Sequence, residues 1–454
     1  MSLASLLSIA RSALIAQQRA MSVTAHNVAN AQTPGYSRQR LQLTAADPQL
    51  TPMGLVGRGV TEAGIQRVRD AFFDARYRSE SGLLGDSATM GDFLGQVEAA
   101  VNEPSNDGLA ASLDGLFGAF ANLANNPASS TSRALVQQAG RRFVQQLHQL
   151  DATVRQVADG ALTKMREQVG QANDLARRIG ALNQQILSSG GPSGSAPDLQ
   201  DQRDALVDQL SNLVGVRVLQ RDDGTIGLVA GDTILVDGAN VQTLAVQGLA
   251  GGGFGLTTAG GGTVDPKSGS LRALSELTTT TLPGIQQRLA ALAQALVTTV
   301  NAIHRSGYTL AGATGTDFFD PAGLTAQSIA LAPAVVASGD AIAAAGTAAP
   351  GDGTIAQQLA GLATAGAAAL GGRSFRDFYI DLAGAIGADV SSAWQDVDAH
   401  QAMVDQADTM RASVSGVSVD EEMVALIGQQ QAYSAAARIV KIADDMMKYV
   451  LEMI

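Results

Sequence analysis

The run Asn27-Val28-Ala29-Asn30-Ala31-Gln32-Thr33-Pro34-Gly35-Tyr36-Ser37-Arg38-Gln39 ends the first helical stretch of the chain and sets how the rest is read. Pro34 pushes Thr33 out of the α region, and Pro-Gly suits the centre of a type II turn in which Gly35 takes positive φ. Asn27 and Asn30 can bond the last free helix carbonyls, and Tyr36 supplies an amphipathic anchor beyond the turn.

Upstream of this stop, Leu3, Leu7, Ala10, Leu14, Gln17, Met21, Thr24 and Val28 step by four and three, the spacing that puts one seam on one helix face. The other end repeats it with Val419, Met423, Leu426, Gln430, Tyr433, Ala437, Val440, Asp444, Met447, Leu451 and Ile454. A single stripe is what any helix packed on a globular core shows. Two at opposite termini favour a pair of helices, each on the order of 40 to 50 Å long. Ala10, Gln17, Thr24, Gln430 and Asp444 weaken the seams, so either helix alone is marginal in water and needs assembly to be stable. Ser418 and Glu421 have capping-box spacing, and Asp420, Glu421 and Glu422 read as first-turn carboxylates favoured by the helix dipole.

Between the ends the organisation is nested. Leu41 to Val68 holds short alternating runs, and helical segments fill Arg69 to Asn126. Thr131 to Ser188 predicts one or two long helices, broken by Gly190-Gly191-Pro192-Ser193-Gly194. A short helix over Asp198 to Leu213 precedes the strand-like runs Val216–Leu219, Ile226–Val229 and Ile234–Val236, separated by Asp-Gly turns. Helical pattern resumes from Ser270 to His304, and Gly307 to Gly323 reads as a loop. Leu324 to Gly372 is low-complexity Ala/Gly sequence with no element assigned, and Ala239 to Thr263 matches no pattern.

The bulk numbers exclude several functions. A chain of 454 residues suggests two to four domains with a sizeable core. A net charge of -12, with no Lys/Arg run, disfavours nucleic-acid binding. The absence of cysteine removes disulfides, thiolate metal sites and thiol nucleophiles together. Met1 to Ile15 lacks a basic start and is interrupted by Arg11, so no cleaved secretion signal is expected. The longest uncharged window that could imitate a membrane span, Gly353 to Gly372, carries two glutamines and five glycines and does not suit one. His26, His148, His304 and His400 lack metal-ligand spacing, Gly251-Gly252-Gly253-Phe254-Gly255 completes no dinucleotide fingerprint, and no Gly-x-Ser-x-Gly elbow is present. Neither catalytic residues nor a cofactor are expected.

The helix-stop string resembles the N-terminal signature shared by flagellar rod, hook and hook-associated proteins, and Ser37-Arg38-Gln39 is similar to the hook-associated type. The resemblance continues through Gln66-Arg67-Val68-Arg69-Asp70-Ala71-Phe72, Asn102-Glu103-Pro104-Ser105, Leu113-Asp114, Leu123-Ala124-Asn125-Asn126-Pro127, Asp201-Gln202-Arg203-Asp204 and Asn301-Ala302-Ile303-His304. It closes with Ser415 to Glu422, Gln430-Gln431-Ala432-Tyr433 and Arg438. It implies a multidomain, mainly α fold with a β-rich insert. Paired terminal helices (1–36 with 416–454) would form an inner unit, 37–190 with 373–415 a mainly helical one, and 191–372 a β-containing outer insert.

The same resemblance implies a secreted, non-enzymatic structural subunit at the junction of hook and filament, required for filament assembly. It would be exported by the flagellar type III route with a cytoplasmic chaperone. Its partners would be the hook protein, the next hook-associated junction protein and other copies of itself in a ring. The residues expected to make subunit contacts are Leu3, Leu7, Leu14, Met21, Asn27, Val28, Asn30, Pro34, Gly35, Tyr36, Met423, Leu426, Tyr433, Val440, Met447 and Leu451. Three other readings stay open: a rod or hook subunit, a flagellum-associated peptidoglycan hydrolase, and an adhesin built on the β-rich insert.

Overall fold

The computed structural model describes residues 3–51, 54–189, 196–349 and 351–452. Helix α1 (Leu3–Ala29) leads to the stop, and β1 (Gln39–Ala45) then pairs antiparallel with β4 (Val60–Arg67). The short hairpin of β2 (Gln49–Thr51) and β3 (Gly54–Val56) lies between them. Both β1 and β4 pack on α1. Ser12 Oγ accepts from the Val60 N–H, and Arg19 pairs with Glu62.

The helical body follows. Asp70 caps α2 (Ala71–Val101) by accepting from the Phe72 N–H, and α3 (Leu109–Asn125) follows it. Ser129 caps α4 (Ser130–Ser188), accepting from the Ser132 N–H. The expectation of one or two long helices resolves to one of 59 residues, roughly 90 Å long. Its buried Val136, Phe143, Leu147, Leu150, Val154, Ala161 and Met165 keep one face on the core throughout. The Gly190 to Gly194 break lies outside the described residues.

Helix α5 (Pro197–Val214) packs on α2 and α4. Strands β5 (Val216–Gln220), β6 (Ile226–Ala230), β7 (Thr233–Asp237) and β8 (Asn240–Val241) form one antiparallel sheet in chain order. A second sheet has the order β11 (Thr263–Val264), β10 (Phe254–Thr258), β9 (Leu244–Gly248). Residues 239–263 thus hold strands of two to five residues, too short and glycine-rich to show a period. Two asparagines of α4 fasten these sheets: the Asn183 amide donates to the Ile226 and Gly238 carbonyls, and Asn173 donates to the Leu244 carbonyl.

Helices α6 (Ser270–Glu276) and α7 (Leu282–Arg305), joined by a π-helical turn Leu277–Thr281, return to the body against α4. The 324–372 stretch is built into the core rather than set apart from it. Ile329, Leu331, Val335, Ile342, Ala343, Ala344, Ile355 and Leu359 are buried with Phe318 and Phe319. Small alanines let this irregular backbone approach the helices closely, so packing replaces periodicity as its organiser. Within it lie α8 (Pro333–Ala337) and α9 (Thr354–Gly361), the latter against α3.

Asn301 and His304 hold this stretch in place. Asn301 donates to the Phe319 carbonyl and accepts from the Phe318 and Phe319 N–H groups. His304 lies between the Thr316 carbonyl (2.7 Å) and the Ala343 N–H (2.8 Å).

Finally α10 (Phe375–Ser415) runs back along α2, and α11 (Val419–Glu452) along α1. Tyr379 reaches Val101, His400 reaches Glu80 and Arg411 reaches Asp74, so α2 and α10 are antiparallel. The continuous core runs from Leu94 to Val390 and takes no side chain from α1 or α11. The chain is therefore mainly α with paired terminal helices, a helical middle and a β-containing insert. Its division at residues 36, 190 and 372 stays a proposal, because α5, α6 and α7 of the 191–372 segment pack on helices of the 37–190 segment.

Candidate assembly surface and its polar clasp

At the helix stop, the Tyr36 N–H closes the turn on the Thr33 carbonyl (3.2 Å) with Gly35 at φ +79°, the type II geometry that Pro34-Gly35 prescribes. The Asn30 amide bonds the His26 carbonyl (3.1 Å), as expected of a residue capping the helix end. Asn27 does something else. It is 1% exposed, and its amide donates to the Gln39 carbonyl (2.9 Å) and to Glu422 Oε2 (2.9 Å). Its Oδ1 accepts from the Tyr36 hydroxyl (2.8 Å) and the Gln39 N–H (2.9 Å). Asn27 is thus the hub that joins α1, β1 and α11, because its four bonding sites match four partners that the turn brings around it. Burial, then the charges of Asp198, Asp201 and Glu422, push the Tyr36 phenol well above its ordinary range and keep it a donor.

The first turn of α11 meets the hub. Ser418 caps the helix, accepting from the Glu421 N–H. Glu422, read from sequence as a capping carboxylate, is 3% exposed and takes Arg38 Nε at 2.6 Å, while Glu421 takes Arg38 Nη1 at 2.9 Å. Two turns further on, Gln429 donates to Thr24. Thr24 with Gln429 and Asn27 with Glu422 make the helices antiparallel. Seven-residue steps from the Thr24–Gln429 pair reach 17 with 436 and 10 with 443, and Ala10, Ala436 and Ala443 are buried.

On α1 the seam therefore runs through Ala10, Gln17 and Thr24 of the expected stripe, whereas on α11 it runs through Glu422, Gln429, Ala436 and Ala443 and not through the large apolar stripe expected from sequence. Of that stripe, Leu3, Leu7, Leu14, Met21 and Val28 of α1 and Leu426 and Val440 of α11 are half-buried. Met423, Tyr433, Met447 and Leu451 are exposed. Val419, Val424, Ile427, Ile439, Ile442, Met446 and Tyr449 are exposed beside them. Small residues allow close backbone approach, so the pair closes on alanine and turns its bulk outward. Ile454 lies outside the described residues.

Behind the hub, the strings around Arg67 and Asp201 converge. Asp201 accepts from the Ser37 N–H (2.9 Å) and hydroxyl (2.7 Å) and from Arg67 (2.7 Å). Asp204 takes Arg67 (2.8 Å) and Arg69 (3.0 Å), and Arg69 also grips Asp74. Arg78 and Arg411 both reach Asp208. Burial alone would raise the Asp204 carboxyl, but Arg67, Arg69, Arg78 and Arg203 outweigh it and hold it below the usual range. This clasp of charges links the base of the terminal pair to α2, α5 and α10. Sequence reading quoted these strings without joining them, since their partners lie more than 130 residues apart.

The other histidines are ordinary polar neighbours: His26 of Asp198, His148 of the Ile329 carbonyl, His400 of Glu80. Among the described residues, no helix is long and apolar enough to cross a membrane, and no group of acidic or histidine side chains could hold a metal.

Terminal helices paired through a buried polar hub, with a helical body between them, agree with what comparisons find at each part of the chain. Residues 7–36 match the family of Flagella basal body rod protein, and 412–453 the Flagellar basal body rod FlgEFG protein C-terminal family. Both ends therefore define a flagellar axial protein. Residues 94–319 match the family Flagellar hook-associated protein FlgK helical domain.

Flagellar hook-associated protein 1 of Bacillus subtilis is 31% identical over 494 aligned positions, covering 98% of this chain and 97% of that protein. The chain belongs to the family of flagellar hook-associated protein 1 (FlgK). The Salmonella typhimurium protein of the same name is 30% identical over 70% of this chain, which spans 59% of its length. The structure of the flagellar hook junction protein FlgK from Burkholderia pseudomallei shares the fold at a TM-score of 0.67. It is 16% identical, and the match covers 75% of this chain and all of that one.

Proposed function

We propose that this chain is a non-enzymatic adaptor at the junction of hook and filament, exposed outside the cell and required for filament growth. On this reading it is exported by the flagellar type III route with a cytoplasmic chaperone bound beforehand. Its terminal pair then continues the hook lattice on one side, accepts the next hook-associated junction protein on the other, and meets copies of itself around a ring. The observation that carries the reading is the outward apolar face of α11, where Val424 is 71%, Ile442 52% and Tyr449 68% exposed. A stripe of this size on a helix already paired on its other side is a surface for association. Family membership and the rod-type match at both ends point to flagellar subunits as what covers it.

The test places a charge on that face with Val424→Asp and Ile442→Asp, made separately. Both side chains are exposed in the monomer, so thermal unfolding should be unchanged. In an assembled lattice the same carboxylate is buried without a partner and costs several kcal/mol. Cells carrying either variant should build hooks, release filament subunits into the medium and fail to swim. Normal filaments and motility with both variants would remove the α11 face from assembly.

A further inference from the structure

The arm formed by β1, β4 and the hairpin between them ends in two exposed leucines. It leaves the hub at Gln39 and runs along α1 toward Leu3, with Glu62 beside Arg19 and Val60 beside Ser12. Its register is continuous to the tip: Ala45 faces Val60, the Ala46 N–H donates to the Gly59 carbonyl (2.9 Å), and Leu50 faces Leu55. Leu50 is 78% and Leu55 69% exposed, on a two-stranded ribbon that is marginal in water by itself. Asp47 and Arg58 stand across from each other behind this tip, both exposed and neither in an ion pair among the described residues.

The body has a concave counterpart. Helices α3 and α4 are antiparallel where the Gln146 amide donates to the Asp107 carbonyl, and between them lies a cleft of about 460 Å³. Gly115 and Gly118 line it from α3. Both are interior to the helix, where glycine is weaker than alanine, and a Cβ at either would meet no atom within 4 Å. Packing within the chain thus gives no reason for glycine at these positions, whereas close approach of another backbone does. On the α4 wall stands Leu135, 47% exposed, and Arg142 follows seven residues later on the same face. Asp107 borders the cleft at its Arg142 end, and neither charge has an ion-pair partner among the described residues.

The two features match in spacing and in charge. Leu50 lies three residues from Asp47, about 10 Å along an extended chain. Leu135 lies seven residues from Arg142, also about 10 Å along a helix. An apolar knob backed by one acidic and one basic side chain therefore meets an apolar cleft flanked by one basic and one acidic side chain. Knob and cleft cannot meet within one copy. The tip points away from the body, and the cleft lies beyond the far end of α2, a helix of 31 residues that carries it roughly 45 Å from the clasp.

We propose that the arm tip of one copy docks in the α3–α4 cleft of a second copy, with Leu50 and Leu55 over Gly115 and Gly118, Asp47 on Arg142 and Arg58 on Asp107. Because the two surfaces differ, the contact is head-to-tail and repeats from copy to copy, closing into a ring where the rotation allows. It deepens the proposed ring of copies and rests on that reading for its role, but it uses none of the α11 face.

Disulfide trapping tests the contact in the full-length protein, which has no cysteine of its own. Leu50→Cys protein is mixed, under a disulfide oxidant, with Leu135→Cys protein or with Leu187→Cys protein, a control of similar exposure on the same helix. The covalent heterodimer should form at least tenfold faster with Leu135→Cys than with Leu187→Cys. Asp47→Arg added to the first protein should remove that advantage, and Arg142→Asp added to the second should restore it. Equal rates at 135 and 187, an advantage that survives Asp47→Arg, or a loss that Arg142→Asp does not rescue would each overturn the assignment. Since the readout needs no flagellum, its failure is distinct from a failure of the α11 variants in cells.

Discussion

Replacing Asn27 by Ala removes the one side chain that α1, β1 and α11 share. Four hydrogen bonds of 2.8–2.9 Å go with it. At about 1 kcal/mol net for each bond, the loss is about 4 kcal/mol, with the Tyr36 hydroxyl, Glu422 and the Gln39 backbone left to find water. The buried apolar part of the seam that must hold without the hub consists of Ala10, Ala436 and Ala443. Three buried methyl groups contribute about 2 kcal/mol together at ~0.8 kcal/mol each. The helix pair should therefore open, while the core, which takes nothing from α1 or α11, stays folded. In hydrogen exchange, protection across 3–29 and 419–452 should fall by roughly a thousandfold in opening equilibrium, the equivalent of ~4 kcal/mol. Emission of the single tryptophan, Trp394, which lies over Gly91 of α2 and so reports on the body, should keep its unfolding midpoint. Asn27→Asp should open the pair further, since it sets a second carboxylate against buried Glu422. Exchange unchanged in both variants would refute the assignment of Asn27 as the hub.

Two further outcomes follow from the same geometry. Ala443→Leu, at a fully buried seam position, should overpack the helix pair and cost about 1–3 kcal/mol of terminal protection, whereas Ala437→Leu on the exposed side should be neutral in the same exchange measurement. For His304, burial pushes the imidazole below its ordinary value, so the folded chain favours the neutral ring; the stability this confers is full above about pH 6.5 and is lost as pH falls below it. The stability gap between wild type and His304→Gln should therefore shrink between pH 7.5 and pH 5, and a gap constant with pH would show that the ring does not titrate in this way.

Local signals in the sequence carried far. Pro34-Gly35 specified its turn, Ser418 its cap, and the absence of proline from 131 to 188 one or two long helices, of which the fold makes one. What local reading could not reach is the choice between faces. On α11 the large apolar residues form a stripe, and apolar periodicity selects it as the buried seam. Alanine is too common in this chain for Ala436 and Ala443 to register as a competing stripe, yet they are the residues that let two backbones approach. Asn27 offers the same lesson. Its position at a helix end fits a cap, and only the return of α11, 395 residues later, makes it a bridge. The arginine and aspartate strings were visible as strings, but pairing them requires knowing that α5 folds back onto the start of α2.

The division of labour on α11 has a mechanical consequence. Its small, polar seam contributes a few kcal/mol, much of it through one asparagine. Its outward face leaves Val424, Ile427, Ile442 and Tyr449 each more than half exposed. Covering four such side chains fully would contribute about 1.5–3 kcal/mol apiece, several times what the alanine seam supplies. The order of the terminal pair is thus governed more by what covers it than by its own internal contacts. The hub fixes where and in which register the two helices meet, at the end nearest the body. Exchange should therefore be slowest around Val23 to Ala29 and Glu422 to Gln429, and should quicken toward Leu3 and Glu452, away from the hub. Such a gradient lets the terminal pair keep its register before assembly while its far ends stay free to fit a lattice.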